Sequence, residues 1–399
     1  MSGNKRRIAA ITTSRADYGH LYWPLRDLAD NEDIDLKLVA LGSHLSPEFG
    51  NTVREIEKDG FEIAARIECL LSSDSDVGMA KTIGNATLSL ADLLGHMRPD
   101  LLLLIADRYE MLAPASVALA LRIPIAHIEG GEISEGAIDD AVRNAVTKMS
   151  HIHFTSTQGA RLRVIAMGEE EWRVHRAGAP SLDHLHRTEL LNREQTESIL
   201  QLNLDQPTVL VSYHPVTIAE DTLQEADALF AALEALPDQL IFCYPNADAG
   251  SRSLINRTKS FLEARRAGQL FTNLDPRMYW SLLRQVDLLI GNSSSGIMES
   301  ASYSLPTINV GIRQQGRERP VNVLNATPYV ESILAAIRNA RSPQFRQSLE
   351  GMVNPYGDGH ASERIVRVLT NAPPSKELLL KRQSQRIPSA ELVRSAMQR

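Results

Sequence analysis

Between His127 and Asp140 the chain reads HIEGGEISEGAIDD, which places Glu129, Glu132, Glu135, Asp139 and Asp140 around two adjacent glycines. An apolar run ending in Pro124-Ile125-Ala126 leads straight into it. An apolar run that stops at a Gly-Gly turn and gives way to acids marks the carboxyl end of a buried strand, where open α/β sheets bind ligands. Carboxylates crowded there can have their pKa values pushed apart, as acid/base chemistry requires. Taken singly, each acid is better explained as part of a solvated loop or as a helix-capping acid.

Four further groups could share that chemistry. Gly291-Asn292-Ser293-Ser294-Ser295-Gly296 follows the apolar residues 288–290 and opens a helical pattern. Small residues there let a ligand approach the backbone, and N–H groups at a helix start attract anions, so the segment is a diphosphate cradle or a plain serine cap. It lacks the Gly-Lys-Ser/Thr ending of a Walker loop. Glu299, one turn on, could accept two ribose hydroxyls or complement the helix dipole. Arg313, after the apolar residues 307–310, could grip phosphate oxygens in a bidentate fashion, whereas Arg317 and Arg319 fit a solvated basic loop. His214 closes another apolar run and is either a structural histidine or a phosphate-side catalyst. Asp107-Arg108 follows residues 101–105 and is either a local ion pair or a catalytic acid beside a phosphate ligand. The first strand-to-helix loop, SRADYG at residues 14–19, is not GxGxxG, so nothing supports a dinucleotide cofactor, and no cluster has metal-ligand spacing.

These groups need a scaffold of strands whose carboxyl ends converge. Residues 8–13, 36–41, 101–105 and 123–128 read as parallel strands buried on both faces, and helix-period patterns occupy 21–29, 48–58, 77–97 and 109–121. A second series puts strands at 209–213, 240–244, 269–272, 288–290 and 307–310, with helices at 221–235, 253–266, 276–286 and 296–303. The expected fold is α/β: two Rossmann-like domains facing a central cleft, joined by a polar linker at 187–206 that starts as a helix. The expected division is 1–187 for the acid/base side, 188–355 for the nucleotide side, 356–372 for a helix returning to the first domain, and 373–399 for a polar, partly ordered tail.

The bulk composition agrees with an ordinary two-domain globular protein. The chain has 399 residues and a net charge of −7, which gives no support to a nucleic-acid surface. No segment reaches the roughly 20 apolar residues that span a bilayer. Cys69 and Cys243 are the only cysteines and have no metal or redox spacing. The start, MSGNKRR and a short apolar run, is expected to be a strand and not a signal peptide. Together these features lead to the expectation of a cytoplasmic protein.

At this level of detail the chain resembles the UDP-N-acetylglucosamine 2-epimerase family, most closely its hydrolysing branch. The resemblance rests on SRADYG (14–19), LGSHLSPEFGNTVREIEKDGF (41–61), DRYE (107–110), HIEGGE (127–132), IDDAVRNAVTK (138–148), HPVT (214–217), PNADAGS (245–251), GNSSSG (291–296), RQQGR (313–317) and NPYGDG (354–359). These run in order over roughly the first 370 residues. The resemblance implies the two-domain fold called GT-B. It implies acid/base roles for Asp107, Glu129 and Asp139, with His214 beside them, and UDP contacts from Arg108, His214, Asn246, Ser293, Ser294, Glu299 and Arg313. Arg15 and His44 match residues lining the cleft. Ala106 departs from the pattern, standing where relatives often have glycine. The loop before Asp139 is one residue longer than in the animal enzyme, and the tail after residue 372 has no family counterpart.

The implied reaction breaks the bond from the anomeric carbon to UDP while the C2 proton leaves, giving a glycal. Water then adds to give free N-acetylmannosamine, as in sialic-acid-type biosynthesis. The implied partner is a UDP-sugar with no cofactor, and a homodimer or homotetramer is expected. The non-hydrolysing branch opens with a GTRPE-like loop and carries HVEAGLR where this chain has HIEGGEI. A UDP- or GDP-linked 2,4-diacetamido-2,4,6-trideoxy sugar, the non-hydrolysing reaction, a glycosyltransferase and a non-catalytic sensor are the alternatives.

Overall fold

The computed structural model describes residues 5–71, 73, 75–265 and 268–382, and the chain within them divides into two units. Unit 1 takes the residues up to Glu132, then Asp139–Asp183, and those from Tyr356 onward; unit 2 takes Ile133–Ile138 and His184–Pro355.

In unit 1 the strands are β1 (Arg6–Thr12), β2 (Ile34–Leu41), β3 (Ile63–Ile67), β4 (Leu101–Ile105), β5 (Ile125–Ile128), β6 (Ile152–Thr155) and β7 (Val174–Arg176). They form one sheet in the order β3-β2-β1-β4-β5-β6-β7, parallel throughout. Every residue of β4 is buried, because helices cover both faces of a parallel sheet and an all-apolar strand satisfies both. Unit 2 repeats the plan with β8 (Thr208–Ser212), β9 (Gln239–Cys243), β10 (Gln269–Phe271), β11 (Leu288–Gly291), β12 (Thr307–Val310) and β13 (Val323–Ala326), in the order β10-β9-β8-β11-β12-β13. Its core packs Val209, Val211, Ile290, Ile308 and Val310 of the central strands with Leu229, Phe230, Ile333 and Ile337 of the covering helices. The strand order reverses between β1 and β4 in unit 1 and between β8 and β11 in unit 2. Those two reversals are where a doubly wound sheet opens a crevice for ligands.

Local signals set several boundaries differently from the periodicity. The first helix runs Arg15–Ala29 and not from residue 21, because Ser14 caps it and Asp17 completes a capping box. The pattern at 48–58 breaks into a 3-10 turn, Pro47–Phe49, and a helix, Val53–Lys58, with Gly50 left-handed (φ 87°) between them. The helical pattern at 221–235 is helical only over Ala226–Glu234. Four strands, β3, β6, β7 and β13, were not expected. They are three to five residues long and mixed in polarity, as in β6, where His153 and Thr155 are buried beside Ile152 and Phe154. The polar stretch 187–206 contains the helix Arg193–Leu200, with an Asn192 capping box.

The end of the chain packs into unit 1. Asp183 accepts hydrogen bonds from the Ala361 and Ser362 N–H groups (both 2.8 Å), capping the helix Ala361–Thr370. Arg6 donates to the carbonyls of Leu369 and Ala372. Arg173, fully buried, donates to Leu378 and Leu380, and Lys381 reaches Glu169. Residues 383–399 of the expected polar tail lie outside the described residues. No described helix is long and apolar enough to cross a membrane.

Candidate active site

In unit 1 the carboxyl ends of β4 and β5 are both left-handed at non-glycine residues, Ala106 (φ 56°) and Glu129 (φ 65°). This conformation costs an L-residue roughly 1–2 kcal/mol, and such costs concentrate at functional sites. His127 links the two strand ends. Its Nε2 donates to the Ala106 carbonyl at 2.8 Å and its Nδ1 meets the Thr147 hydroxyl at 3.2 Å. Burial pushes its pKa down to about 4, so the ring is neutral. The Gly130-Gly131 turn that follows is sterically required at Gly131 (φ 79°), where a Cβ would lie 2.4 Å from the Ala160 carbonyl oxygen.

The acids beyond these strand ends gather around Arg143, on the helix Asp139–Met149. Its guanidinium, almost wholly buried, pairs with Asp107 and donates to the Glu132 carbonyl (3.0 Å) and Asp140 (3.4 Å). Burial alone would lower its pKa, but Asp107 and then Asp139 outweigh burial and hold it above the ordinary value. Asp107 and Asp139 are thus brought together on one cation, with Glu132 also in its field. Glu129 is held differently: His20 Nδ1 lies 2.8 Å from its Oε1, and its backbone N–H donates to the Phe154 carbonyl at 2.7 Å.

The remaining expected residues of unit 1 take varied positions. Arg15 is half-buried at the start of the first helix. Asp17 organises that loop by accepting from the Thr13 and Ser14 N–H groups and from the Thr12 and Thr13 hydroxyls. His44, expected to line the cleft, is fully buried. Its ring nitrogens meet the hydroxyls of Thr12 (2.9 Å) and Thr52 (2.8 Å), and burial takes its pKa down to about 4. Arg108, expected as a phosphate ligand, is also buried, with Glu110 at 3.2 Å and the Tyr109 ring beneath its guanidinium.

In unit 2 the organiser is Asn292, which is fully buried. Its side chain accepts from the His214 N–H (2.7 Å) and donates to the His214 carbonyl (2.9 Å). Its own carbonyl accepts from Arg313 (3.1 Å) and Gln314 (3.0 Å). One residue therefore ties together the ends of β8, β11 and β12. The Asn246 N–H donates to His214 Nδ1 at 3.2 Å, so the neutral ring carries its proton on Nε2, a donor suited to an anion. The close approach of β11 to β8 depends on Gly291 (φ 150°), where a Cβ would fall 1.9 Å from the Ser212 carbonyl oxygen. Ser293 and Ser294 follow, half-buried, and Glu299 is buried at the end of the short helix Ser295–Met298. The His214, Asn246 and Arg313 positions are thus joined within one hydrogen-bonded set.

Residue-type reasoning passed over Arg143, Asn292, His20 and Gln314. Arg143 had a signal, since it lies three and four residues after two acids and can return to both on one helix face. Asn292 stood inside a segment noted for its serines.

A model of the family described as UDP-N-acetylglucosamine 2-epimerase matches residues 26–370. A Campylobacter jejuni protein named GDP/UDP-N,N'-diacetylbacillosamine 2-epimerase (hydrolyzing) is 35% identical over 86% of this chain and 90% of its own. A Legionella pneumophila protein named UDP-N,N'-diacetylbacillosamine 2-epimerase (hydrolyzing) is 36% identical over 94% of this chain and 98% of its own. Among solved structures, the Neisseria meningitidis UDP-GlcNAc 2-epimerase bound to UDP-GlcNAc superposes with a TM-score of 0.75 at 17% identity, covering 91% of this chain and 99% of that one. The fold is the GT-B type of two Rossmann-like units, and the chain belongs to the UDP-N-acetylglucosamine 2-epimerase family.

Proposed function

We propose that this chain is a hydrolysing 2-epimerase that converts a UDP-linked 2-acetamido sugar to free UDP and the free C2-epimeric sugar. The observation that carries this reading is the carboxylate set of unit 1, in which Asp107, Asp139, Asp140 and Glu132 share one buried guanidinium while Glu129 stands apart on His20. Two differently held groups of carboxyls supply separate residues for the two proton transfers that the reaction needs. In elimination a carboxylate takes the C2 proton, the C1–C2 double bond forms, and the C1–O electron pair leaves with UDP. In hydration a carboxyl delivers a proton to C2 while the water oxygen bonds to C1 and gives up one of its protons to a carboxylate.

The set built on Asn292 in unit 2 suits the diphosphate. Arg313 and the His214 Nε2–H supply charge-assisted contacts to the departing oxygens, which lowers the barrier to C–O cleavage. For the sugar, N-acetylglucosamine, giving N-acetylmannosamine, is the first candidate. The names of the Campylobacter and Legionella relatives favour the 2,4-diacetamido-2,4,6-trideoxy sugar as the second, with GDP beside UDP as carrier.

The test is proton NMR in D2O with each nucleotide sugar and no acceptor. Free UDP and a free epimeric sugar with deuterium at C2, at completion, are expected, and the faster of the two substrates identifies the sugar. Accumulation of a nucleotide-linked epimer without free sugar would show the non-hydrolysing reaction instead.

A further inference from the structure

Glu129 is distinguished from the other acids of unit 1 by what holds it. Asp107, Asp139, Asp140 and Glu132 surround Arg143, whereas the Glu129 carboxylate hydrogen bonds to His20, the one side chain among the described residues that does so. The two partners are 109 positions apart in sequence, and each is anchored before they meet. His20 lies in the helix Arg15–Ala29, whose first turn is locked by the Ser14–Asp17 capping box and by the four further hydrogen bonds that Asp17 accepts from Thr12, Thr13 and the Ser14 hydroxyl. Glu129 is fixed by its left-handed backbone and its bond to Phe154. The Glu129 side chain is 7% exposed and that of His20 is 18% exposed, so the imidazole covers one side of a carboxylate that is itself nearly buried.

We infer that His20 is a positioning residue for Glu129: by holding Oε1 it aims Oε2 at the sugar carbon that loses its proton. That divides the two proton steps between two places. Glu129 takes the C2 proton as the C1–O bond breaks and its electron pair leaves on UDP, and a carboxyl of the Arg143 set supplies the proton that hydration puts back on C2. The inference rests on the proton-handling role proposed above for Glu129.

Two variants and a labelled substrate test it. His20→Ala should lower kcat by about 10- to 100-fold, the scale of a misplaced catalytic group, with KM nearly unchanged. With substrate deuterated at C2, the isotope effect on kcat should rise, because proton abstraction becomes slower relative to the other steps. His20→Asn places an amide nitrogen close to where Nδ1 lies and should recover most of the lost rate. A merely structural histidine would lower the melting temperature, leave the isotope effect at its wild-type value and gain nothing from asparagine. Normal kcat in His20→Ala, or a loss of rate with an unchanged isotope effect, overturns the assignment. If the wild type releases no UDP from any nucleotide sugar, the functional proposal fails first and the positioning role falls with it. The contact is then judged alone by the imidazole 15N shifts of His20, which must move in Glu129→Gln if the pair exists.

Discussion

Replacing Asn292 by alanine should cost unit 2 stability and disturb the geometry proposed to hold the diphosphate. The side chain is fully buried and makes two hydrogen bonds to the His214 backbone, at 2.7 and 2.9 Å, and His214 is itself only 7% exposed. Alanine removes both bonds and leaves a buried N–H and a buried carbonyl without them. An unmade partner costs about 1–3 kcal/mol, so the pair amounts to about 2–6 kcal/mol. At roughly 2–4 °C per kcal/mol for a unit of this size, the melting transition should fall by about 4–24 °C. The bonds from Arg313 and Gln314 go to the backbone carbonyl of Asn292 and survive unless the loop moves. Loss of UDP affinity therefore reports chiefly on His214, and a tenfold loss corresponds to about 1.4 kcal/mol. Asn292→Asp should bind UDP more weakly still, since it sets an anionic oxygen against the His214 carbonyl and adds charge beside the phosphates. Scanning calorimetry and titration with UDP measure both effects. An Asn292→Ala protein with wild-type melting and wild-type UDP affinity would refute the claim that this residue organises the site.

Asp107→Asn, Glu129→Gln and Asp139→Asn should each lower turnover by about 100-fold or more, and near-normal rates in all three would leave the mechanism without its acids. Of these, Asp107→Asn should also destabilise unit 1 by about 1–3 kcal/mol, measured by urea unfolding, because it weakens the pairing of a buried guanidinium. Ala106→Gly relieves a left-handed alanine (φ 56°) and should stabilise unit 1 by up to about 1 kcal/mol, visible as a small rise in melting temperature. The stability of unit 1 should also fall as pH drops from 6.5 towards 4. Burial takes His44, His127 and His151 from 6.5 down to about 4, so each binds its proton more readily unfolded, and the stability they confer is full above 6.5. Glu169 extends the loss further down. Its burial is outweighed by hydrogen bonds from His153 and Lys148, which hold it near 2 instead of 4.5. Circular dichroism melts across this range check the direction, and a melting temperature that stays flat between pH 7 and 4 would contradict it.

Apolar runs located nine of the strands because a buried parallel strand cannot be polar on either face. They failed for β6 and β7, where His153 pairs with Glu169 and Arg176 reaches an exposed edge, so that polar residues sit within the strand. Candidate residues stood out where they directly follow a strand, and the structure places Asp107, Glu129 and His214 just past β4, β5 and β8. Their surroundings were illegible where a partner comes from far along the chain. Nothing in the residues near His44 announces that Thr12 and Thr52 will take both its nitrogens, and nothing near His20 announces Glu129. Asp107-Arg108 read as a local ion pair or as an acid beside a phosphate ligand; in the structure the two do not pair with each other, since Glu110 faces the Arg108 guanidinium and Asp107 turns to Arg143.

The closing segment of the chain bears on the order in which a ribosome can deliver a finished fold. Unit 1 begins with β1, yet Arg6 at its start bonds to the carbonyls of Leu369 and Ala372, and the fully buried Arg173 bonds to Leu378 and Leu380. Unit 2 has all its parts once Pro355 has been made. The half that is synthesised first is therefore completed last, and until the final helices emerge it must expose the cationic groups and the apolar surface that they cover. A nascent chain stalled just after residue 355 should hold a native-like unit 2 beside a protease-sensitive unit 1, and truncations that remove the last described residues should impair the half of the protein farthest from them in sequence.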